Sequence, residues 1–175
     1  MQSVKLSHIA TEFLAQLDQF VTTMQQLPDF IDGHQHVHQF PVIRRVILDL
    51  YEKRLKKNGT AIRATWPSIN LPNYQFKAKV LAMTGGKALS KQLFKLDIPH
   101  NHYFSGIYNF APDTNYRDLF RKWLHLAKED TLIMCHPGEE LTPQDNISAA
   151  RFVELDYFAS DHFINDCEEY AIHLA

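Results

Sequence analysis

His34, His36 and His38 stand at alternate positions in the stretch DFIDGHQHVHQFP, which covers residues 29–41. Imidazole is a common ligand for zinc and other divalent metals, and it exchanges protons near neutral pH. On an extended backbone, alternate side chains point to one side. The three rings would then share a face, as a metal site or a catalytic surface requires. The same spacing also suits a turn whose histidines bond to the backbone and cap a strand end. Asp32, just ahead, could accept a proton from one ring and set its tautomer. It could equally cap the turn at Gly33.

Further candidates lie downstream. Arg63 interrupts the apolar stretch AIRA. An arginine there is rarely buried without a carboxylate partner, so it either orients an acid in a site or forms a structural ion pair. His136 follows the apolar run TLIMC and precedes Pro137-Gly138. A tight turn at that place would hold the imidazole at a strand end, which suits a general acid or base; a packing role is the alternative. Glu139 or Glu140 could join it. Ser105 and Tyr108 belong to another strand end, and Tyr103, Phe104, Tyr108 and Phe110 could wall a sugar ring or fill the core. Cys135 adjoins His136, but neighbours on a strand face opposite sides, which argues against a thiol–imidazole pair.

The elements that must position these residues follow from periodicity. Ile9, Phe13, Leu14, Leu17, Phe20, Val21, Met24 and Leu27 recur at helical spacing, so one amphipathic helix is expected over the first 27 residues, with Ser7 as N-cap and Pro28 as its stop. DFIDG reads as a short strand. Pro41 opens a second helix that buries Val42, Val46, Ile47, Leu50 and Leu55 and closes at Asn58-Gly59. TAIRAT is a second strand, and WPSINLPNY is loop. Residues 74–95 form one or two helices interrupted at Gly85-Gly86. HNHYFSGIYNF is strand plus loop. NYRDLFRKWLHLAKED is a helix with Tyr116, Leu119, Phe120, Trp123 and Leu126 inward. TLIMC is a strand, and Ile147 to Leu174 is helical in two pieces. Strands alternating with helices predict an α/β fold, a parallel sheet with crossover helices. Chemistry in such folds collects at the carboxyl ends of the strands. Asp32, the histidine cluster, Arg63, Tyr108 and His136 all fall there, so one polar rim is expected.

The totals exclude several classes. A length of 175 residues favours a single domain. A net charge of -2 gives no electrostatic footprint for nucleic acid or an anionic membrane. Cys135 and Cys167 stand alone, which argues against a zinc ribbon or a disulfide framework and for a reducing, cytoplasmic setting. The opening residues lack the pattern of a signal peptide. No apolar run approaches the roughly 20 residues that span a bilayer.

DFIDGHQHVHQFP, AIRA, YFSGIYNF, TLIMCHPGEE and AARFVELDYFASDHF together resemble the YdjC-like family, which includes the ChbG chitooligosaccharide deacetylases. The order and spacing of the five stretches agree over nearly the whole chain. The resemblance implies an incomplete (βα)-barrel-like domain of glycoside hydrolase/deacetylase type. It implies removal of the acetyl group from an N-acetylated sugar or oligosaccharide, with a divalent metal, Mg or Zn, activating water. His34 matches a family metal ligand, and His36 falls beside it as a second candidate. Asp32, His38 and Tyr108 are then substrate-binding or supporting groups. Arg63 and His136 match catalytic positions, His136 as the proton donor to the leaving amine.

The family's Asp-Asp-Phe-Gly motif and its glycine-x-histidine-x-x-leucine motif do not occur in this sequence. The chain is therefore expected to be the C-terminal two-thirds of the family domain, with metal binding weak or absent, because a catalytic metal takes about three protein ligands. An open sheet edge would need cover from a second copy or a complementing chain. The other expectation is a non-catalytic sugar-binding or oligomer-forming remnant. A different hydrolase built on HxH, such as an amidohydrolase, would show a late aspartate that is not evident.

Overall fold

The computed structural model describes residues 6–111, 113–139 and 145–174. The fold is mixed α/β and helix-rich, with short parallel strand pairs. Its contacts gather into two compact units. Unit one comprises Met1–Trp66 and Lys79–His102, and unit two comprises Pro67–Ala78 and Tyr103–Ala175.

Unit one begins with helix α1 (Leu6–Met24). Its apolar stripe buries Leu17 and packs Phe13 and Val21 against the core. Ser7 lies inside this helix, where its carbonyl accepts from the Thr11 hydroxyl, so it is not the expected N-cap. The helix stops ahead of Pro28 because Gln25 turns left-handed, at φ 56.

Strand β1 (Phe30–Ile31) pairs in parallel with β2 (Ala61–Ile62), Phe30 opposite Ala61 and Ile31 opposite Ile62. The crossover is α2 (Pro41–Leu50), which opens on Pro41 as the sequence suggests. A π turn at Tyr51–Leu55 and a 3-10 turn at Lys56–Asn58 continue it, and Gly59 ends it at φ 68. Val46, Ile47, Leu50 and Leu55 are buried. Val42, expected inward, is exposed in the first turn, and Tyr51 is buried instead. Tyr51 lies four residues after Ile47, on the same inward stripe.

Next come α3 (Gln75–Leu81), a π turn at Ala82–Gly86 and α4 (Lys87–Lys95). The expected interruption at Gly85-Gly86 has a steric cause. Gly85 has φ 134, and a side chain there would collide with the Gln39 carbonyl.

Unit two holds β3 (Tyr103–Ser105), paired in parallel with β4 (Thr131–Ile133). Helix α5 (Tyr116–Leu126) is capped by Asn115, whose side chain accepts the Asp118 N–H at 3.2 Å. It buries Tyr116, Leu119, Phe120, Trp123 and Leu124. Leu126 is exposed, contrary to expectation, because Leu124 is the residue four after Phe120 on the same stripe. The tail forms two helices, α6 (Ser148–Ala159) and α7 (Asp161–Glu169), parted at the extended Ser160.

The strands, two or three residues long, form two separate parallel pairs among the described residues. Each unit carries a polar cluster beside its strand pair, Asp32, His36, His38 and Arg63 in unit one and Tyr108, His136 and Glu154 in unit two. No helix of the described residues is long and apolar enough to cross a membrane.

Helices α5, α6 and α7 enclose Asp166, which is wholly buried. Arg117 donates to it twice, at 2.9 and 3.0 Å; Arg121 donates at 2.5 Å and the Tyr157 hydroxyl at 3.1 Å. The Arg117 bonds, supported by Arg121, hold its carboxyl at about 2. A carboxyl depressed in the fold stabilises it fully above the unfolded value near 4, and that contribution is lost as pH falls toward 2. Asp166→Asn is expected to cost about 1.5–3 kcal/mol at neutral pH by loss of charge-assisted bonds. Denaturant titrations at pH 7, 4 and 2.5 should show the difference from the parent protein shrinking at the lowest pH.

Candidate functional site

In unit one, residues His34–Gln39 do not extend. They form a 3-10 turn with Gln35 (φ 49, ψ 33) and His36 (φ 62, ψ 20) in left-handed conformation. The alternation of three rings along a strand is thereby corrected: a turning backbone sends the rings in different directions. His34 is exposed, His36 is half-buried and His38 is buried.

His38 is the pin of this turn. Its Nδ1 accepts the Gly33 N–H at 3.0 Å, which leaves the proton on Nε2, and Nε2 donates to the Arg63 carbonyl at 2.9 Å. Burial is the largest influence on its pKa and lowers it, consistent with a neutral ring. The ring packs so tightly on Gly33 that a side chain at that position would strike His38 Nδ1. Gly33 is thus required by packing.

Arg63 is also buried, and it does have the acid partner its sequence context demanded. Its Nε donates to Asp32 Oδ1 at 2.6 Å, and its Nη2 lies 2.5 Å from the same oxygen. Nη2 also stands 3.0 Å from His36 Nδ1. Burial lowers the Arg63 pKa, while Asp32 offsets that by raising it. Asp32, His36, His38 and Arg63 therefore form one cluster, with His34 exposed on the same turn.

Behind it lies a polar network with no obvious signal in the sequence. Buried Gln39 accepts from the Thr65 hydroxyl at 2.6 Å and donates to the Thr84 hydroxyl at 2.8 Å. Asn101 bonds both the N–H and the carbonyl of Ala64, at 2.8 and 3.0 Å.

The donor set of this cluster does not fit a divalent ion by itself. Among the described residues no group of three or more His, Cys, Asp and Glu side chains could hold one. An Asp32 oxygen and His36 Nδ1 both face the Arg63 cation, and both His38 nitrogens are bonded to backbone.

In unit two, the turn after β4 is fastened to α6. Glu154, wholly buried on α6, accepts the backbone N–H of His136 through Oε2. It accepts the Tyr108 hydroxyl through Oε1 at 2.5 Å. The Gly138 N–H donates to the Arg151 carbonyl at 3.2 Å. The His136 ring stands edge-on to Phe110, with centroids 5.1 Å apart. Its Nδ1 is buried, has no hydrogen-bond partner among the described residues and lies 3.8 Å from Glu154 Oε1. The side chain as a whole keeps 25 % exposure. One edge of the imidazole thus faces a buried acid while the ring still reaches solvent.

Tyr108 is buried among Phe110, Tyr116 and Trp123. Burial and then Glu154 push its phenol far above the ordinary range. Phe104 is fully buried too. Neither ring therefore serves as an exposed wall for a sugar; Phe110 and Tyr103 are half-buried. Ser105 is buried within β3. Cys135 is exposed as a residue, yet desolvation of its thiol and then the Glu154 charge push it up to about 11. It is no thiolate nucleophile at neutral pH. Glu139 is exposed, and Glu140 lies outside the described residues. Glu154 is the residue that sequence reasoning missed. Its signal was an acid spaced with Ala150 and Tyr157, at four and three residues, on the inward face of α6.

The family described as YdjC-like protein matches residues 1–169. The crystal structure of an Enterococcus faecalis protein, named for a proposed cleavage of cellobiose-phosphate, superposes with a TM-score of 0.69 at 22% identity. The superposition covers 98% of this chain and 60% of that one, so this chain spans about three-fifths of that protein's length. At that identity the likeness shows the fold. No curated protein gives a significant match.

The pin and the exposed ring are expected to differ in stability. His38→Ala would leave the Gly33 N–H and the Arg63 carbonyl without partners and cost roughly 2–4 kcal/mol. His34→Ala would stay within about 0.5 kcal/mol of the parent. Urea midpoints of the two variants check this.

Proposed function

The chain belongs to the YdjC-like protein family, and on that premise we propose that it serves carbohydrate processing, specifically hydrolysis of the N-acetyl amide of an amino sugar. Water adds to the amide carbonyl, the C–N bond breaks, acetate leaves and the amine takes up a proton. His136 is the residue assigned to deliver that proton. The observation that supports it most is the setting of its ring, with one nitrogen buried toward Glu154 and the side chain still 25 % exposed. In unit one, Arg63 is the fixed cation, oriented by Asp32, that suits a polarised oxygen. His34 and His36 are the residues of this chain assigned to a divalent ion, Mg or Zn, which would supply Lewis-acid activation of water; His36 would take part through Nε2, since its Nδ1 faces Arg63. The donors described here do not complete its ligand set. In this reading the remainder comes from a second copy of the chain or a complementing one. The barrel-like sheet and the single domain over residues 1–175 belong to the same proposal, supported by the family match over residues 1–169; a cytoplasmic setting belongs to it too and rests on the isolated cysteines Cys135 and Cys167.

The lack of a three-donor group among the described residues favours a second reading, a non-catalytic sugar-binding or oligomer-forming relative. Acetate release from N-acetylglucosamine oligomers, measured with Mg or Zn added, separates the two. The deacetylase reading expects release that His136→Ala lowers by roughly 10²–10⁴-fold. Binding of the oligomers with no acetate released under either metal would establish the second reading instead. Calorimetry should show divalent-metal binding that His34→Ala removes; binding indifferent to that change would take His34 out of the ligand set.

A further inference from the structure

We propose that Glu154 is a positioning residue for His136, holding the imidazole as the Nδ1–H tautomer so that Nε2 is the nitrogen available for proton exchange. The argument rests on what surrounds Nδ1. That atom is buried and has no hydrogen-bond partner among the described residues, and Glu154 Oε1 is 3.8 Å away. The distance is too long for a hydrogen bond but short for an electrostatic contact in a place shielded from water. A lone pair on Nδ1 aimed at a carboxylate oxygen is repelled, whereas an N–H aimed there is attracted. The carboxylate therefore selects Nδ1–H, and the lone pair of the neutral ring falls on Nε2. In its cationic form the ring carries a second proton on Nε2. After giving that proton away it returns to the same Nδ1–H tautomer, so Glu154 takes up no proton itself.

Glu154 can do this because it cannot move. It is wholly buried on α6, with Oε1 holding the Tyr108 hydroxyl and Oε2 holding the His136 backbone N–H. The same carboxylate thus fixes the turn that carries the ring and the ring's proton. Phe110 stands edge-on to the imidazole and limits its rotation. The Gly138–Arg151 backbone bond anchors the far side of the turn.

The catalytic meaning of this arrangement rests on the deacetylase reading, but the tautomer does not, and the two are tested separately. Imidazole nitrogen NMR on the full chain, with the His136 signal assigned by its loss in His136→Gln, reads the tautomer directly. The neutral His136 ring of the parent protein is expected to be Nδ1–H. Finding it Nε2–H overturns the proposal with no substitution needed. Glu154→Gln keeps the shape and one carbonyl acceptor but can turn an amide N–H toward Nδ1; it is expected to shift the ring to Nε2–H. Glu154→Asp retains a carboxylate and is expected to preserve Nδ1–H. Tyr108→Phe removes a bond to Glu154 without removing the charge, and it too is expected to leave the tautomer in place. A tautomer unchanged in a folded Glu154→Gln protein, or altered equally by Tyr108→Phe, would reduce Glu154 to a clamp on the turn. Where acetate release is measurable, Glu154→Gln is expected to lower kcat about 10–100-fold with KM little changed. A tautomer result as expected beside absent acetate release would count against the reaction and not against the positioning.

Discussion

Strands of two or three residues leave most of their neighbouring backbone outside any ladder, yet buried backbone N–H and carbonyl groups have to be paired. This constraint governs both units. In unit one, β2 ends after Ile62; the Arg63 N–H still bonds the Ile31 carbonyl, and beyond it the backbone is paired by side chains. His38 takes the Arg63 carbonyl, and Asn101 takes both groups of Ala64. In unit two, β4 ends after Ile133, and Glu154 takes the His136 N–H. Polar side chains act here as extensions of the sheet. Residues that look like chemistry in the sequence are, in part, the means by which short strands are terminated.

That dual use explains the histidine cluster. Three imidazoles within five residues suggest a coordination site, but the backbone turns left-handed at Gln35 and His36. Left-handed conformation is costly for residues with a side chain, and the surrounding bonds must over-determine it. They do: Gly33 packs under His38, His38 reaches across to β2, and Arg63 reaches back to Asp32 and His36. The result is a cluster organised around a guanidinium. A cation at its centre competes with any metal for the same carboxylate oxygen and the same imidazole nitrogen. His34, exposed at the start of the turn, is outside that competition.

The sequence made the helices legible because their apolar stripes are long. Helix α1, the start of α2 at Pro41, the break at Gly85-Gly86 and the two-piece tail all follow from spacing and from proline or glycine. Errors fell at helix ends. Tyr51 proved to share the inward stripe of Ile47, Val42 faced outward in the first turn, and Gln25 ended α1 before Pro28 could. Among site residues, Arg63 was legible as an ion-pair partner because a buried guanidinium demands one. The identity of Asp32 as that partner depended on β1 and β2 being adjacent, which is a long-range fact. The role of His38 was not legible, since nothing local distinguishes a ring that bonds backbone from one that binds metal. Glu154 was hidden for the same reason: the turn it holds lies about eighteen residues away in sequence.

Among the described residues unit two contains two buried acids, and the contrast between them bears on function. Asp166 is matched by two arginines, with the Tyr157 hydroxyl as a third donor. Those cations keep their charge at any ordinary pH, so the cluster is a permanent brace among α5, α6 and α7. Glu154 has no arginine or lysine bridge among the described residues. It is held by a hydroxyl and a backbone N–H, and the His136 imidazole faces it with Nδ1 3.8 Å from Oε1. Burying an acid costs several kcal/mol unless it is compensated, and a fold that needed only a brace has the arginine solution at hand a few residues away. Compensation by dipoles and an imidazole, in place of an arginine, is the setting that the proposed role of His136 as proton donor would use, and a structural brace gains nothing from it.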